Sequence, residues 1–270
     1  MRNRGLRDVL AGEVPPALLE DVPNRFDVIG DIAIVALPPS LKEYRHLIAS
    51  AIAGRRGNIT TVLNKSGKVG GDHRIPEFEI LLGDSTLTTH AEYGYRYRLN
   101  VREVFFNSRL GFERRRVMAQ VNPGENILVP FCGVGPFAIP AASRGARVVA
   151  VEKNPAACKW LAENIRLNNV RVDILCADAS VLPFCLKTGF DRLIVPTPYG
   201  MDRFFDLLSP LLRPGGFMHF YTFGVEGDVR VRRKEFAGKG YEVRQVRRCG
   251  NVAAGVSRWV FDLRKHIEQE

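Results

Sequence analysis

The residues best equipped for chemistry lie in one run from Asn126 to Pro155, NILVPFCGVGPFAIPAASRGARVVAVEKNP. It reads as strand, glycine-bearing turn, helix, strand and acid. Gly133 and Gly135 let the backbone approach a ligand at the carboxyl end of the first strand, where open α/β sheets place their sites. Glu152 closes the second strand about 20 residues on, where a carboxylate can accept hydrogen bonds from both hydroxyls of a ribose. Asp178, in ILCADAS, ends the next strand, and there an acid and the following amide of Ala179 can read the edge of an adenine. The third glycine of the dinucleotide fingerprint is absent, since Phe137-Ala138 stands in its place, so NAD ranks below other adenosine ligands. Glycines that merely turn the chain are the plainer alternative. Three ligand-facing elements at consecutive strand ends weigh against it.

Such a site needs a sheet to hold it. From Gly124 onward strand-like and helix-like segments alternate, which favours a mostly parallel sheet with helices on both faces. The strands are NILVPF, ARVVAVE, RVDILCA, FDRLIVP and GGFMHFYTF, followed by the paired segments YEVRQVRR and GVSRWVFDLR. Before this, residues 25 to 106 read as a small α+β module. FDVIGDIAIVAL forms a hairpin about Gly30-Asp31. LKEYRHLIASAIAG is a helix with Gly54 as its C-cap, and NITTVLNK is a strand leading to a turn with Gly67, Gly70 and Gly71. Arg109 to Val121 reads as a helix joining the two parts. The division is therefore 1–108, a substrate-side α+β domain with an N-terminal lead, and 109–270, a Rossmann-like domain.

Composition narrows the partners. The chain has 270 residues, 46% hydrophobic and 25% charged, and no apolar run approaches the roughly 18 residues of a membrane span. No secretory signal is visible, so the expected compartment is the cytoplasm. The five cysteines, 132, 158, 176, 185 and 249, show no zinc-ligand spacing and read as reduced core thiols, and no metal is expected. A net charge of +10 attracts polyanions, with RNA or DNA ahead of membrane. Seven arginines (96, 98, 102, 109, 114, 115 and 116) lie between Gly94 and Arg116, the best stretch for phosphate contact. Arg114 to Arg116 cannot share one helix face, so at least one of them, Arg114, is expected to point into the cleft between the two domains.

The run PFCGVGPFAIP resembles the cofactor loop of the archaeal and eukaryotic tRNA (guanine-N1)-methyltransferases that modify position 37. FDVIGDIAIV, TVLNK, HAEYGYRYRLNVREVFFNSRLGFERRRV and HFYTFG follow that family's order, from Leu6 to Leu263. The likeness extends to a sister branch, the aminocarboxypropyl transferases of wybutosine synthesis. Arg109-Leu110, Pro136-Phe137 and HFYTFG with Tyr221 favour the methyltransferase branch. The resemblance implies a class I fold, S-adenosylmethionine as cofactor and tRNA as partner, with the chain acting as a monomer. It implies a general base in Glu113 and a carbonyl-edge contact in Arg74, with Asn107, Arg109 and Arg114 around the methionine end. The loop residues Phe131, Gly133, Val134, Gly135 and Pro136 would hold the cofactor, together with Glu152-Lys153, Asp178-Ala179 and Pro196. Thr197, Pro198 and Tyr199 would border the target base. A carboxylate base paired with a cation suits guanine N1, which must lose a proton while charge develops on O6.

This chain departs from the family at two places. Pro130 precedes Phe131 where an aspartate is usual, and Pro196-Thr197-Pro198-Tyr199 replaces an asparagine motif, which removes a side chain able both to donate to and to accept from guanine. The likeness further implies a chain without the extra N-terminal module of many relatives, hence weaker selectivity for full-length tRNA. Each sharp reading has a plain competitor. Glu113 could simply pair with Arg109 or Arg116 on its helix. Arg74 could be a solvated loop residue, and Pro196-Thr197-Pro198-Tyr199 a rigid strand exit. His219 reads as a packed histidine rather than a ligand. Tyr199 could stack on a flipped base. Three functions stay open: guanine-N1 methylation, aminocarboxypropyl transfer, and RNA binding without catalysis.

Overall fold

A computed structural model of the protein describes residues 5–66 and 77–267. Two compact units divide the chain, Met1–Ser108 and Arg109–Glu270.

The first unit begins with α1 (Leu6–Leu10) and α2 (Pro16–Leu19), then the antiparallel pair β1 (Asp27–Ile29) and β2 (Ile32–Val35). A 3-10 turn, Pro39–Tyr44, leads into α3 (Arg45–Arg55), followed by β3 (Thr61–Lys65) and β4 (Phe78–Leu82). The sheet order is β1-β2-β3-β4, with β2 and β3 parallel. A separate hairpin pairs β5 (Leu87–Glu92) with β6 (Tyr95–Asn100). Ile48, Ala49 and Ile52 recur at helical spacing on α3 and are fully buried with Leu6, Leu10, Val62 and Leu81. The turn at Gly30 has φ +59°, and a Cβ there would come within 2.1 Å of Thr88 Oγ1, so the position requires glycine. Thr88 in turn donates to Asp31 at 2.5 Å and Thr60 donates to the same carboxylate at 2.7 Å, tying β5 to the β1–β2 turn. The expected C-cap at Gly54 does not form. α3 continues to Arg55, and the chain turns extended at Arg56, whose amide still reaches Ala53 O at 3.1 Å. Arg74 and the glycines 67, 70 and 71 lie outside the described residues.

In the second unit a short α4 (Gly111–Met118), preceded by a 3-10 turn at Ser108–Leu110, takes the place of the longer expected helix. The chain then alternates through β7 (Asn126–Pro130), α5 (Ala138–Ser143), β8 (Arg147–Glu152), α6 (Pro155–Leu167), β9 (Asp173–Cys176) and α7 (Leu182–Cys185). It continues with β10 (Phe190–Val195), α8 (Phe204–Leu208), β11 (Leu212–Gly224), α9 (Asp228–Gly238), β12 (Tyr241–Ala253) and β13 (Val256–Lys265). These seven strands form one sheet, ordered β12-β13-β11-β10-β7-β8-β9. All neighbours are parallel except where β13 inserts antiparallel between β11 and β12. The chain runs outward from β7 through β8 to β9 and then returns to β10 on β7's other side. The carboxyl ends of β7 and β10 therefore flank a topological switch point.

The central strands are apolar runs because both faces are covered: Ile127 to Val129 and Leu193 to Val195 are 0% exposed. Phe205, Phe220, Phe236, Tyr241 and Phe261 stack under the β11–β13 side with ring centroids 4.5 to 6.0 Å apart. Each such aromatic pair adds about 0.5–1.5 kcal/mol beyond its buried area. The core thiols are fewer than expected. All five cysteines are free, but only Cys132 and Cys158 are buried, Cys176 and Cys185 are exposed, and Cys249 is half-buried. The reason is that β9, which carries Cys176, is an edge strand, and Cys185 ends the short surface helix α7.

Candidate functional site

At the carboxyl end of β7 the backbone turns sharply through Phe131 (φ +55°), Gly133 (φ +54°) and Gly135 (φ +97°). Phe131 takes the left-handed conformation with its ring packed edge-on against Phe204 at 4.9 Å. A Cβ on Gly135 would fall 2.6 Å from Leu161 Cδ1, so this glycine lets α6 pack directly on the loop. Val134 turns its side chain into the core, 1% exposed, while its carbonyl accepts from Asn164 Nδ2 at 3.2 Å. Asn164, itself 0% exposed, anchors the loop. Sequence reading missed it, although a polar residue on the apolar stripe Ala157, Cys158, Leu161 of α6 was the available signal.

Glu152 is held by the chain itself. The amide of Gly133 donates to its Oε2 and the amide of Asn154 to its Oε1, each at 2.9 Å. Each oxygen keeps a lone pair for another donor. Asn154 accepts from the Ala156 amide at 3.0 Å and caps α6, whose first residue is Pro155. Asp178 caps the next turn in the same way, through the Ser180 amide at 2.9 Å, with Lys153 Nζ 3.3 Å from its other oxygen. The Ser180 amide, then the Lys153 ammonium, hold this carboxyl below the usual carboxylate range against the opposing effect of burial. Gly133, Glu152, Lys153, Asp178 and Ala179 are thus brought to adjacent strand ends. Pro136 is half-buried, and Phe137 beside it packs on Tyr221 at 5.7 Å.

Pro196 centres a tight turn in which the Thr197 amide and hydroxyl both return to Val195 O, at 2.8 and 3.2 Å. Thr197 is 3% exposed, and its hydroxyl proton is committed inward to Val195 O. Pro198 is half-buried, and Tyr199 is 56% exposed with its ring 5.2 Å from Phe223.

Glu113 lies deep, 4% exposed, on the first turn of α4. Arg116, one turn on, grips it through Nη2 at 2.7 Å and Nε at 2.9 Å, and the Tyr221 hydroxyl donates to Oε1 at 2.9 Å. The pairing with Arg116 is the plain reading of this glutamate, whereas Tyr221 joins it from β11, 108 residues away. Among the described residues, Oε2 accepts from the Arg116 guanidinium and retains acceptor capacity. Burial, then the Glu113 charge, pushes the Tyr221 hydroxyl well above its ordinary value, so it stays a donor. Arg114 is 2% exposed. Of the seven arginines read as phosphate contacts, Arg96, Arg98, Arg102, Arg109 and Arg115 are exposed. Arg114 is buried and Arg116 is committed to carboxylates. Asn107 is half-buried. Among the described residues no group of three or more His, Cys, Asp or Glu is placed to hold a metal, and no helix is long and apolar enough to cross a membrane.

Residues 88–245 match the TRM5/TYW2 methyltransferase domain, and residues 6–86 match the TYW2 N-terminal domain. The tRNA (guanine(37)-N(1))-methyltransferase Trm5b of Pyrococcus abyssi is 38% identical over 80% of this chain, which spans 64% of that protein's length. Its crystal structure superposes with a TM-score of 0.84 at 36% identity, covering 93% of this chain and 78% of that one. The tRNA(Phe) (4-demethylwyosine(37)-C(7)) aminocarboxypropyltransferase of Pyrococcus horikoshii is 31% identical over 98% of this chain and 99% of its own. A crystal structure of P. horikoshii TYW2 in complex with MeSAdo gives a TM-score of 0.76 at 28% identity, covering 96% of this chain and 97% of that one. A seven-stranded sheet with one antiparallel insertion, a glycine loop braced by Glu152, and these two matches along the chain together make it a member of the TRM5/TYW2 methyltransferase family.

Proposed function

We propose that this chain is an S-adenosylmethionine-dependent tRNA methyltransferase acting on N1 of guanosine 37. The observation that carries the reading is the continuity from the glycine loop through Phe137 and Tyr221 to the Glu113 carboxylate, which sets a base beside the cofactor loop. The residues fit the cofactor. Glu152, with both oxygens oriented by backbone amides, suits two adjacent ribose hydroxyls, and the MeSAdo-bound relative supports an adenosine ligand. When bound, S-adenosylmethionine supplies an electrophilic methyl group on a sulfonium sulfur. The protein's own work is positioning and proton removal. Glu113 Oε2 takes the N1 proton of guanine, and the family resemblance assigns Arg74 the carbonyl edge of the base. Arg114, Asn107 and Arg109 close the methionine end, Tyr199 stacks on the target base, and the exposed arginines meet phosphate. The same reading has the chain working as a monomer in the cytoplasm.

A second reading has its own support. The chain matches the TYW2 N-terminal domain over residues 6–86 and has nearly the length of the P. horikoshii aminocarboxypropyltransferase. In that chemistry the transferred carbon is the one bearing the amino acid chain. Against it stands Tyr221, whose hydroxyl organises a base suited to deprotonating N1. Incubating the protein with unmodified tRNA and S-adenosylmethionine, followed by nucleoside analysis, is expected to yield N1-methylguanosine. Intact cofactor binding without that product rejects the first reading.

A further inference from the structure

Beyond Glu113 the hydrogen bonds do not stop. Arg116 also holds Asp262 of β13, through Nη2 at 3.0 Å and through Nη1. Asp262 accepts from His219 Nδ1 of β11 at 2.7 Å, and His219 Nε2 meets Arg192 Nη1 of β10 at 2.7 Å. Arg192, 2% exposed, ends the chain on Glu125 at 2.8 and 3.0 Å and on Gln120 O at 2.7 Å. Four sheet and helix elements are threaded by one line of alternating charges.

The histidine fixes the sense of that line. A guanidinium donates only, so the His219 nitrogen facing Arg192 must be the lone-pair nitrogen, and the proton sits on Nδ1, facing Asp262. A second proton would set two donors against each other at 2.7 Å. Burial, then the Arg192 and Arg116 charges, holds His219 below the usual histidine value, although Asp262 opposes them. Asp262 is held as a carboxylate despite burial by His219 and Arg116. Among the described residues, Glu113 is faced by Arg116 from its own helix, Tyr221 from β11, Cys249 from β12 and Asp262 from β13 by way of Arg116. Tyr221 is a neutral phenol, and burial pushes the Cys249 thiol up to about 12, so it too is neutral. One guanidinium thus serves two carboxylates, and a neutral histidine keeps the inner one in place.

We propose that His219 and Asp262 are positioning residues of the transfer reaction: they draw Arg116 inward and so leave Glu113 oriented and only partly neutralised for taking a proton. This inference rests on the proposed role of Glu113. It gives β13, which precedes the chain end, a part in the chemistry without any contact to substrate.

The test is the pH dependence of single-turnover methyl transfer in the 270-residue chain, compared with Asp262→Asn at saturating S-adenosylmethionine and tRNA. With the second carboxylate gone, Arg116 settles wholly on Glu113. The expected result is a roughly 100-fold slower transfer at neutral pH and an acid limb displaced to lower pH, with cofactor affinity by calorimetry close to that of the wild type. Transfer and pH profile unchanged in folded Asp262→Asn overturn the inference, as does a parallel loss of rate and cofactor affinity. Nitrogen-15 spectra of the wild-type imidazole need no variant. A His219 proton on Nδ1 alone from pH 8 to pH 5 is expected, and a ring that titrates within that range contradicts the proposal. If the wild type transfers no methyl group at all, the functional reading has failed rather than this one.

Discussion

Two carboxylates define the second unit, and they are held by opposite means. Glu152 is half-buried and fixed by two amides of its own neighbourhood, Gly133 and Asn154. Glu113 is buried and fixed by side chains, a guanidinium one turn away and a phenol 108 residues on. A carboxylate on backbone amides is as rigid as the loop and stays open on its outer side, which suits recognition of neutral hydroxyls. A carboxylate in an ion-paired line depends on every member, because removing one partner of a buried pair typically costs about 3–5 kcal/mol while the pair's net worth is small. Its placement there contributes orientation rather than stability.

The comparison is broken hardest at Glu113. Glu113→Gln is expected to slow single-turnover methyl transfer by roughly 10²–10⁴-fold with little change in cofactor affinity. Equal loss of rate and affinity would show that this side chain serves the fold instead.

The two sites also differ in how far they could be read from the sequence. The glycine loop, Glu152 and Asp178 sit at strand ends with local spacing, and the strand–helix alternation that sets them is a one-dimensional pattern. Asn107, Arg109 and Arg114 were placed by family likeness rather than by pattern. The charge line was not legible, because Arg116 and Asp262 are 146 residues apart and meet only once β13 inserts beside β11. An acid inside the apolar strand VFDLR and the packed histidine His219 were its traces. The inward turn of the Thr197 hydroxyl onto Val195 O was not legible either, because a closure across Pro196 leaves no mark in the linear motif. Gly54 was misread because a glycine with open space around it imposes nothing on a helix.

At the other carboxylate, Glu152→Ala is expected to weaken S-adenosylmethionine binding by about 1.5–3 kcal/mol, the worth of hydrogen bonds to a charged group. Titration calorimetry checks this, and unaltered affinity would move the ribose elsewhere. Gly135→Ala probes the loop beneath it. An added methyl 2.6 Å from Leu161 Cδ1, on a backbone at φ +97°, is expected to lower stability by about 1–3 kcal/mol in urea unfolding. A neutral result would mean that α6 yields readily.

The gentlest probe is pH. His219 is neutral in the fold because burial lowers its proton affinity, whereas in the unfolded chain it titrates near its ordinary value of about 6.5. The unfolded state therefore binds more protons below that value. The stability from His219 is complete above about pH 6.5 and declines as pH falls toward the lower folded value. Asp262, held below the carboxylate range, adds its own loss further into acid. Urea midpoints are expected to drop between pH 7 and pH 5 in the wild type and to drop less in His219→Gln; identical slopes would remove the histidine from the account.

The central claim is that this protein moves a methyl group to guanine, and the position of a label tests it most directly. With tRNA bearing unmodified guanosine 37, S-adenosylmethionine labelled in the methyl group is expected to mark the RNA, and the same cofactor labelled in its carboxyl group is expected to leave it unmarked. The reverse pattern would contradict the account and assign the chain to aminocarboxypropyl transfer.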